Sequence, residues 1–194
     1  NAIWIFFSTS LNQNATVFTT NAAVFGKVYF PRLTMPVSNV VSAIIQFGVQ
    51  MSLVLMFLIY YLVRGDVNPN WGSWLLIPMI LVHLGMLALG CGIIISSLTT
   101  RYRDLSILVG FGISLWMYAT PIVYPISEIP MGWMRTVIQI NPVTPPVELM
   151  RYAILGQGNV NWLYYGISWI VTILLMLAGI LIFNKVEKTF MDTV

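Results

Sequence analysis

Charged side chains are scarce in this sequence. Asp, Glu, Lys and Arg together make up 8% of its 194 residues, whereas soluble domains usually carry about 25%. A water-soluble fold of this length could not cover its surface with so few charges, and 58% of the residues are hydrophobic. A surface of that kind is stable against the hydrocarbon of a bilayer. The composition therefore predicts an integral membrane protein.

The residues from which enzymes and metal sites are built are also rare. Cys91 is the only cysteine, which excludes an intramolecular disulfide and argues against a cysteine-based metal site. His83 is the only histidine. It lies within an apolar run with no carboxylate near it in sequence, so we expect it to make interhelical hydrogen bonds rather than to relay protons. No Ser-His-Asp set, HExxH motif or paired carboxylate site is discernible, and these absences argue against catalysis.

Two binding functions are argued against by what is missing. The nine lysines and arginines lack the basic run that follows nucleic-acid phosphates, so we expect no nucleic acid partner. A phosphate-binding loop needs G-x-x-x-x-G-K-[ST], but Gly26-Lys27 is followed by Val28 and lacks the earlier glycine. We therefore expect no cofactor in this chain. Apart from His83 the apolar runs carry no ionisable residue, so the energy for any transport would come from another subunit.

Four apolar runs are candidates to cross a bilayer, which takes about 20 residues. They are Val37–Val63, Trp74–Leu98, Ile107–Tyr124 and Trp162–Phe183. Asn1–Leu11 looks like the end of an earlier span, and the sequence does not begin with Met, so we expect an N-terminal part to be missing. No internal repeat divides the chain, which predicts a single transmembrane domain over residues 1–194.

The basic residues of the connecting segments predict the orientation of the spans. Connections at residues 12–36, 99–106 and 184–194 alternate with those at residues 64–73 and 125–161. The first group holds six lysines and arginines and the second holds three. By the positive-inside rule the first group is cytoplasmic and the second lies outside.

The outer segment at residues 125–161 is too apolar for a solvated loop and too interrupted by proline and charge to span. It predicts two short amphipathic helices, Met131–Ile140 and Pro145–Leu155, separated by the Asn141-Pro142 break. Thr144 before a proline is a candidate N-cap. Such a pair either re-enters the outer leaflet, shielded by protein or a water-filled cavity, or lies flat at the interface.

Two groups of side chains are candidates to line a conduit for substrate. A polar stripe recurs at helical spacing in the first complete span and consists of Asn39, Ser42, Gln46 and Gln50. It would line a conduit or supply interhelical hydrogen bonds, and both interpretations stay open. An aromatic group near the outer end of the third span consists of Trp116, Tyr118 and Tyr124. Such rings stack on sugars or belong to the interfacial aromatic belt.

Small residues also recur on single helix faces. One face in the second span consists of Gly85, Ala88, Gly92 and Ser96. A second face, in the third span, consists of Ser106, Gly110 and Ser114. Small residues let helix backbones approach closely, so both faces predict helix packing.

Three segments in order resemble one protein family. They are KVYFPRLTMPVSNV (Lys27–Val40), SSLTTRYRDLSIL (Ser96–Leu108), and ATPIVYPISEIP followed by INPVTPPVELMRYAILG. Together they resemble the permease subunit of bacterial ABC exporters for O-antigen, capsule, teichoic acid and similar lipid-linked glycans. Two residues depart from the family pattern: Leu33 replaces a common acidic residue and Ala119 a common serine.

The resemblance implies an all-α fold of six spans, of which four and part of an earlier one would be present here. It implies a homodimer in the bacterial cytoplasmic membrane, surrounded by membrane lipids, each half seated on an ATPase subunit that binds ATP and Mg²⁺. The substrate would be a lipid-linked polysaccharide or polyol phosphate polymer. A permease of the same fold exporting drugs or small lipids is the alternative, and a channel or membrane-embedded enzyme is a more distant one.

The resemblance also assigns candidate site residues. Within residues 12–36, Asn21–Arg32 would be a coupling helix that contacts the ATPase, and Thr99–Asp104 a second cytoplasmic contact or a positively charged membrane anchor. The candidate coupling residues are Asn21, Val24, Phe25, Lys27, Tyr29, Arg32, Arg101, Arg103 and Asp104. The candidate outer gate residues are Trp133, Arg135, Glu148 and Arg151.

Overall fold

The computed structural model describes residues 1–21, 33–102, 104–130, 132–156, 158 and 160–191. Within those residues the structure is helical and contains no strand, which confirms the all-α prediction. The helices are α1 (Ala2–Ala15), α2 (Thr34–Arg64), α3 (Ile77–Arg101), α4 (Leu105–Tyr118), α5 (Trp133–Ile140), α6 (Thr144–Leu155) and α7 (Trp162–Met191). Short helical turns lie at Val17–Thr20, Trp71–Leu76 and Ile126–Glu128.

Among the described residues, three stretches are long and apolar enough to cross a membrane: Thr34–Arg64, Trp71–Thr100 and Trp162–Asn184. The predicted span Ile107–Tyr124 is shorter than expected, because α4 ends at Tyr118 where residues 119–124 form turns and bends before Pro125. Its 14 residues correspond to about 21 Å at 1.5 Å per residue, less than the roughly 30 Å of hydrocarbon. Helix α4 therefore does not cross the bilayer by its own length.

Helix α3 forms the centre of the bundle. In its most apolar stretch 61% of the residues are buried by the rest of the chain, against 11% in α2 and 22% in α7. It packs between α1 and α7, and its buried side chains join those of α1 in one apolar core. The surfaces of α2 and α7 are instead largely apolar and exposed, as expected for helices that face lipid.

The predicted small-residue face of α3 is confirmed as a packing face. A methyl group on Gly85 would lie 3.0 Å from Cγ1 of Val40 in α2, and one on Gly92 would overlap Asn14 in α1. A second close contact was not predicted: a methyl group on Gly90 would lie 2.9 Å from the Met176 nitrogen in α7. Small residues thus let three neighbouring helices, α1, α2 and α7, approach the α3 backbone closely.

In the corresponding face of α4, Gly110 and Ser114 do not pack against another helix among the described residues, contrary to prediction. A methyl group on Gly110 would have no neighbouring atom within 4 Å. Ser114 is exposed and donates its hydroxyl hydrogen back to the Gly110 carbonyl. Four-residue spacing of small residues therefore predicted a contact that is absent from the described part of this chain.

Hydrogen bonds at the two ends of α3 join connecting segments that the alternation of spans places on the same side of the membrane. At one end Asn70 donates to the Tyr152 hydroxyl (2.8 Å), and the Trp74 indole donates to the Ala153 carbonyl (3.0 Å). At the other end the Thr99 hydroxyl donates to the Ala15 carbonyl (2.8 Å). We call these the outer and cytoplasmic ends, following the predicted orientation.

Candidate functional site

Three of the cytoplasmic candidates lie among the described residues, each at or near the end of a helical segment. Asn21 follows the turn Val17–Thr20, and its side chain donates to the Val17 carbonyl (3.0 Å). Asp104 is exposed and directly precedes α4, while Arg101 ends α3. The remaining coupling candidates lie outside the described residues: Val24, Phe25, Lys27, Tyr29, Arg32 and Arg103.

The segment before the coupling candidates is tied to α3 by hydrogen bonds that the sequence did not predict. The backbone N–H of Phe18 donates to the Ser96 hydroxyl (3.4 Å), next to the bond from Thr99 to Ala15. The Phe18 ring stacks on Phe183 of α7 with a centroid distance of 5.1 Å. Leu33, the departure from the family pattern, packs against this cluster and so supplies an apolar contact. A displacement of residues 15–18 would therefore be transmitted to α3 and α7.

The polar stripe of α2 divides into two parts. The Asn39 amide donates to Oδ1 of Asn14 in α1 (3.1 Å), which is an interhelical hydrogen bond. Ser42 and Gln46 are exposed, and Gln50 is half-buried. Asn39 therefore stabilises the contact with α1, and the rest of the stripe runs beside that contact on an open face, where a role in a conduit stays a prediction.

The aromatic candidates near the end of α4 also differ from one another. The Trp116 indole donates to Oδ1 of Asn141 (3.0 Å), and its ring meets Phe7 edge-on at 5.3 Å. The Tyr124 hydroxyl donates to the Tyr118 carbonyl (3.1 Å), while the Tyr118 ring is exposed. Trp116 thus holds two elements together, and Tyr118 is the ring most open to a ligand.

Helices α5 and α6, which we call the helix pair, correspond closely to the two helices predicted in the outer segment. The predicted N-cap is wrong: Thr144 is the first residue of α6, and its buried hydroxyl has no hydrogen-bond partner among the described residues. Val143 holds the N-cap position without a side-chain hydrogen bond. Asn141 lies before it, where its Oδ1 accepts from the Val143 N–H (3.2 Å) and its carbonyl from the Thr144 N–H (3.0 Å). The asparagine side chain reaches its own backbone two residues on, as in an Asx turn.

Asn141 also joins the helix pair to the end of α4. Its amide nitrogen donates to the Thr120 hydroxyl (3.0 Å) and to the Ala119 carbonyl (3.3 Å). Together with the bond from Trp116, this fixes the break between α5 and α6 against the turn that ends α4. The sequence predicted only a helix break at Asn141-Pro142, because a side chain's distant partners leave no periodic signal.

Two of the predicted gate residues form a largely buried ion pair. The Arg151 guanidinium donates to the Glu148 carboxylate, and its Nη2 also donates to the carbonyls of Pro121 (2.9 Å) and Ile122 (3.1 Å). Glu148 is 7% exposed. Burial raises the pKa of the Glu148 carboxyl above its ordinary value, and the nearby Arg151 opposes that rise.

The other two gate candidates lie on α5. The Arg135 charge is close enough to favour ionisation of Glu148, whereas the Trp133 side chain is 77% exposed. Arg135, Glu148 and Arg151 therefore lie in one region, and Trp133 projects away from it.

His83 links α3 to α7 in the buried core. Its Nε2 lies 2.9 Å from the Thr172 hydroxyl and 3.1 Å from the Ser168 hydroxyl. Ser168 donates its single hydrogen to the Pro142 carbonyl at the break, so we assign the hydrogen between His83 and Ser168 to Nε2. The imidazole stacks on Trp169 at 4.3 Å. The expected interhelical role is confirmed, and Ser168 connects this site to the break between α5 and α6.

Comparison with known proteins identifies the class. Residues 2–155 match the family model described as "ABC-2 type transporter". The chain therefore belongs to the ABC-2 transporter family, and it is a membrane-embedded permease subunit whose family works with an ABC ATPase.

Individual relatives are more specific. The chain is similar to two proteins of Klebsiella pneumoniae named O-antigen export system permease protein RfbA. Each is 31% identical over 191 residues, which covers 97% of this chain and 71% of the relative. A protein of the same name from Myxococcus xanthus is 29% identical over 143 residues, covering 72% of this chain and 52% of the relative.

Proposed function

We propose that this chain is the membrane-spanning subunit of an ATP-driven exporter of a lipid-linked polysaccharide or polyol phosphate polymer. It would act as a homodimer in the bacterial cytoplasmic membrane. ATP and Mg²⁺ would be bound, and ATP hydrolysed, by a separate ATPase subunit. The observation that carries the proposal is the similarity to O-antigen export permeases over 97% of the chain.

The contacts between helices support a mechanism in which the ATPase acts on the outer gate at a distance. Movement of the coupling segment would displace residues 15–18, which Ser96 and Thr99 bind to α3. Helix α3 carries His83, whose hydrogen bonds reach Ser168 and through it the Pro142 carbonyl. This path of packed and hydrogen-bonded groups connects the cytoplasmic end with the helix pair.

The helix pair would then open or close the outer mouth of the conduit. Arg151 and Asn141 tie it to the turn after α4, so these hydrogen bonds define its closed position. Opening would exchange them for contacts with water or with the substrate. The exposed part of the polar stripe and Tyr118 would contact the glycan below the gate, because polar and aromatic groups bind sugars without requiring one register.

Deletion and complementation in the source bacterium test this function. Loss of surface polysaccharide on deletion, with restoration by the wild-type gene, is the expected result. A glycan-bearing lipid should accumulate on the cytoplasmic side of the deletion strain. Normal surface polysaccharide together with new drug sensitivity would instead identify an exporter of drugs or small lipids.

A further inference from the structure

A cavity opens at the outer end between the helix pair and the start of α7. Its volume is about 480 Å³, within the range of small-molecule sites. A smaller pocket, lined in part by Thr144, Pro145 and Tyr164, adjoins it, and the two share Gln139 and Asn161 in their walls. Neither Gln139 nor Asn161 was among the residues singled out in the sequence.

Neutral hydrogen-bonding groups line this cavity. The Asn161 Oδ1 accepts from the Leu163 N–H, which leaves the amide nitrogen as a donor. The Gln139 side chain is half-buried and makes no hydrogen bond with any residue that the structure describes. In the adjoining pocket the Thr144 hydroxyl is buried and equally unpartnered among the described residues. A buried hydroxyl without a partner is unusual, and a polar ligand would supply one.

The charges in the wall favour a ligand that both donates and accepts hydrogen bonds. Arg151 is occupied by Glu148 and two carbonyls, whereas Arg135 makes no hydrogen bond or ion pair within the described chain. A phosphate group would find one unpaired guanidinium and the repulsive Glu148 carboxylate. The hydroxyl groups of a sugar can accept from Arg135 and Gln139 and donate to Glu148. Trp162, also in the wall, provides an aromatic surface of the kind on which sugar rings pack.

We propose that this cavity binds one or two sugar residues of the exported polymer as they leave the gate. Arg135, Gln139 and Asn161 would bind the hydroxyl groups, and Trp162 would cover one face of the ring. The inference rests on the proposed function and deepens it. A sugar held there keeps the emerging polymer on the outer side while the ATPase returns to its starting state.

Binding can be measured on the permease with its ATPase subunit in phosphatidylcholine nanodiscs. The probe is polysaccharide released by mild acid from the surface of the source strain, titrated by calorimetry. Arg135→Gln and Gln139→Leu should each weaken the apparent Kd by about tenfold, the loss expected for one hydrogen bond to a charged or buried group. Arg64→Gln is the matched control, because Arg64 is exposed at the same end but lies outside the cavity. Size-exclusion profiles must match wild type for each variant.

Two results would overturn the inference. The first is absence of polysaccharide binding, or equal affinity in wild type and both cavity variants. The second is displacement of the polysaccharide by inorganic phosphate, or by phosphatidylglycerol in the nanodisc, with Arg135→Gln abolishing the displacement. That result would assign the cavity to anionic headgroups.

Failure of the cavity assignment is distinguishable from failure of the proposed function. If deletion leaves surface polysaccharide intact, the export function is wrong whatever the titration shows. If deletion removes the polysaccharide and Arg135→Gln restores it fully with unchanged glycan binding, only the cavity assignment is wrong.

Discussion

The Arg151 guanidinium donates through Nη2 to the Pro121 carbonyl at 2.9 Å, across thirty residues of chain. The same side chain pairs with Glu148 one helical turn away, so a single group connects the helix pair to the turn after α4. The guanidinium donates to carbonyl oxygens and a carboxylate, so directed hydrogen bonds as well as charge hold it in place. This relationship makes Arg151 the most informative residue of the outer gate.

Replacement of Arg151 should destabilise the protein and impair export. Arg151→Gln leaves Glu148 buried without its partner, a loss of about 3–5 kcal/mol for fully buried pairs and less here because the pair retains some exposure. Arg151→Lys should rescue only in part, since an ammonium cannot reproduce the planar fork. Thermal unfolding in detergent and surface polysaccharide are the measurements. Full activity and an unchanged melting temperature in Arg151→Gln would contradict the assigned role.

Stability should depend on pH through Glu148. Its folded-state pKa is raised, so the folded protein binds a proton more tightly than the unfolded chain. The group's contribution is therefore complete below the ordinary pKa of about 4.3 and is lost as pH rises through the folded-state value. Glu148→Gln should make the melting temperature less dependent on pH between the ordinary pKa and the folded-state pKa. The prediction would be wrong if Glu148 made the wild-type protein more stable as pH rises.

The hydrogen bonds of His83 should be energetically coupled to Ser168. We expect His83→Leu and Ser168→Ala each to lower the free energy of unfolding, with a coupling energy of about 1 kcal/mol in the double-mutant cycle. Thr172→Ala should cost less than Ser168→Ala, because Thr172 lacks the additional bond to Pro142. Additive effects of the His83 and Ser168 variants would show that the two side chains act independently.

The crossing of α3 and α7 should tolerate no added methyl group. A Cβ on Gly179 would lie 2.9 Å from the Gly90 carbonyl, so Gly179→Ala should cost about 1–3 kcal/mol, as overpacking usually does. Gly166→Ala on the same helix is the control, because no atom lies within 4 Å of the added carbon. That control should be neutral or slightly stabilising through helix propensity. Equal melting temperatures for the two variants would contradict the close crossing.

The two interpretations of the polar stripe can be separated. Asn39→Leu should reduce thermal stability, since it removes the bond to Asn14. Gln46→Leu should leave stability unchanged because the side chain is exposed, but it should slow export if that face lines the conduit. Normal export by Gln46→Leu would limit the stripe to a structural role at its Asn39 end.

Local patterns predicted much of the fold but few of the tertiary contacts. Hydropathy located α2, α3 and α7, and the Asn141-Pro142 dipeptide correctly separated α5 from α6. The bonds from His83 span 85 and 89 residues, and nothing in the spacing of serine and threonine in α7 identifies their partner. Thr144 is not the N-cap because the helix begins at Thr144 itself, one residue earlier than predicted. In α4, the four-residue spacing of small residues correctly placed them on one face of the helix but did not identify a helix that packs against it.

The contact between Gly90 and Gly179 has a mechanical consequence. With their backbones touching, α3 and α7 cannot slide along each other without driving neighbouring side chains into a main chain. The two helices therefore form a rigid unit around which the rest of the subunit is arranged. Rearrangement during a transport cycle is easier in α2, α4 and the helix pair, because hydrogen bonds that help to hold them, such as those of Asn39, Asn141 and Arg151, can be exchanged.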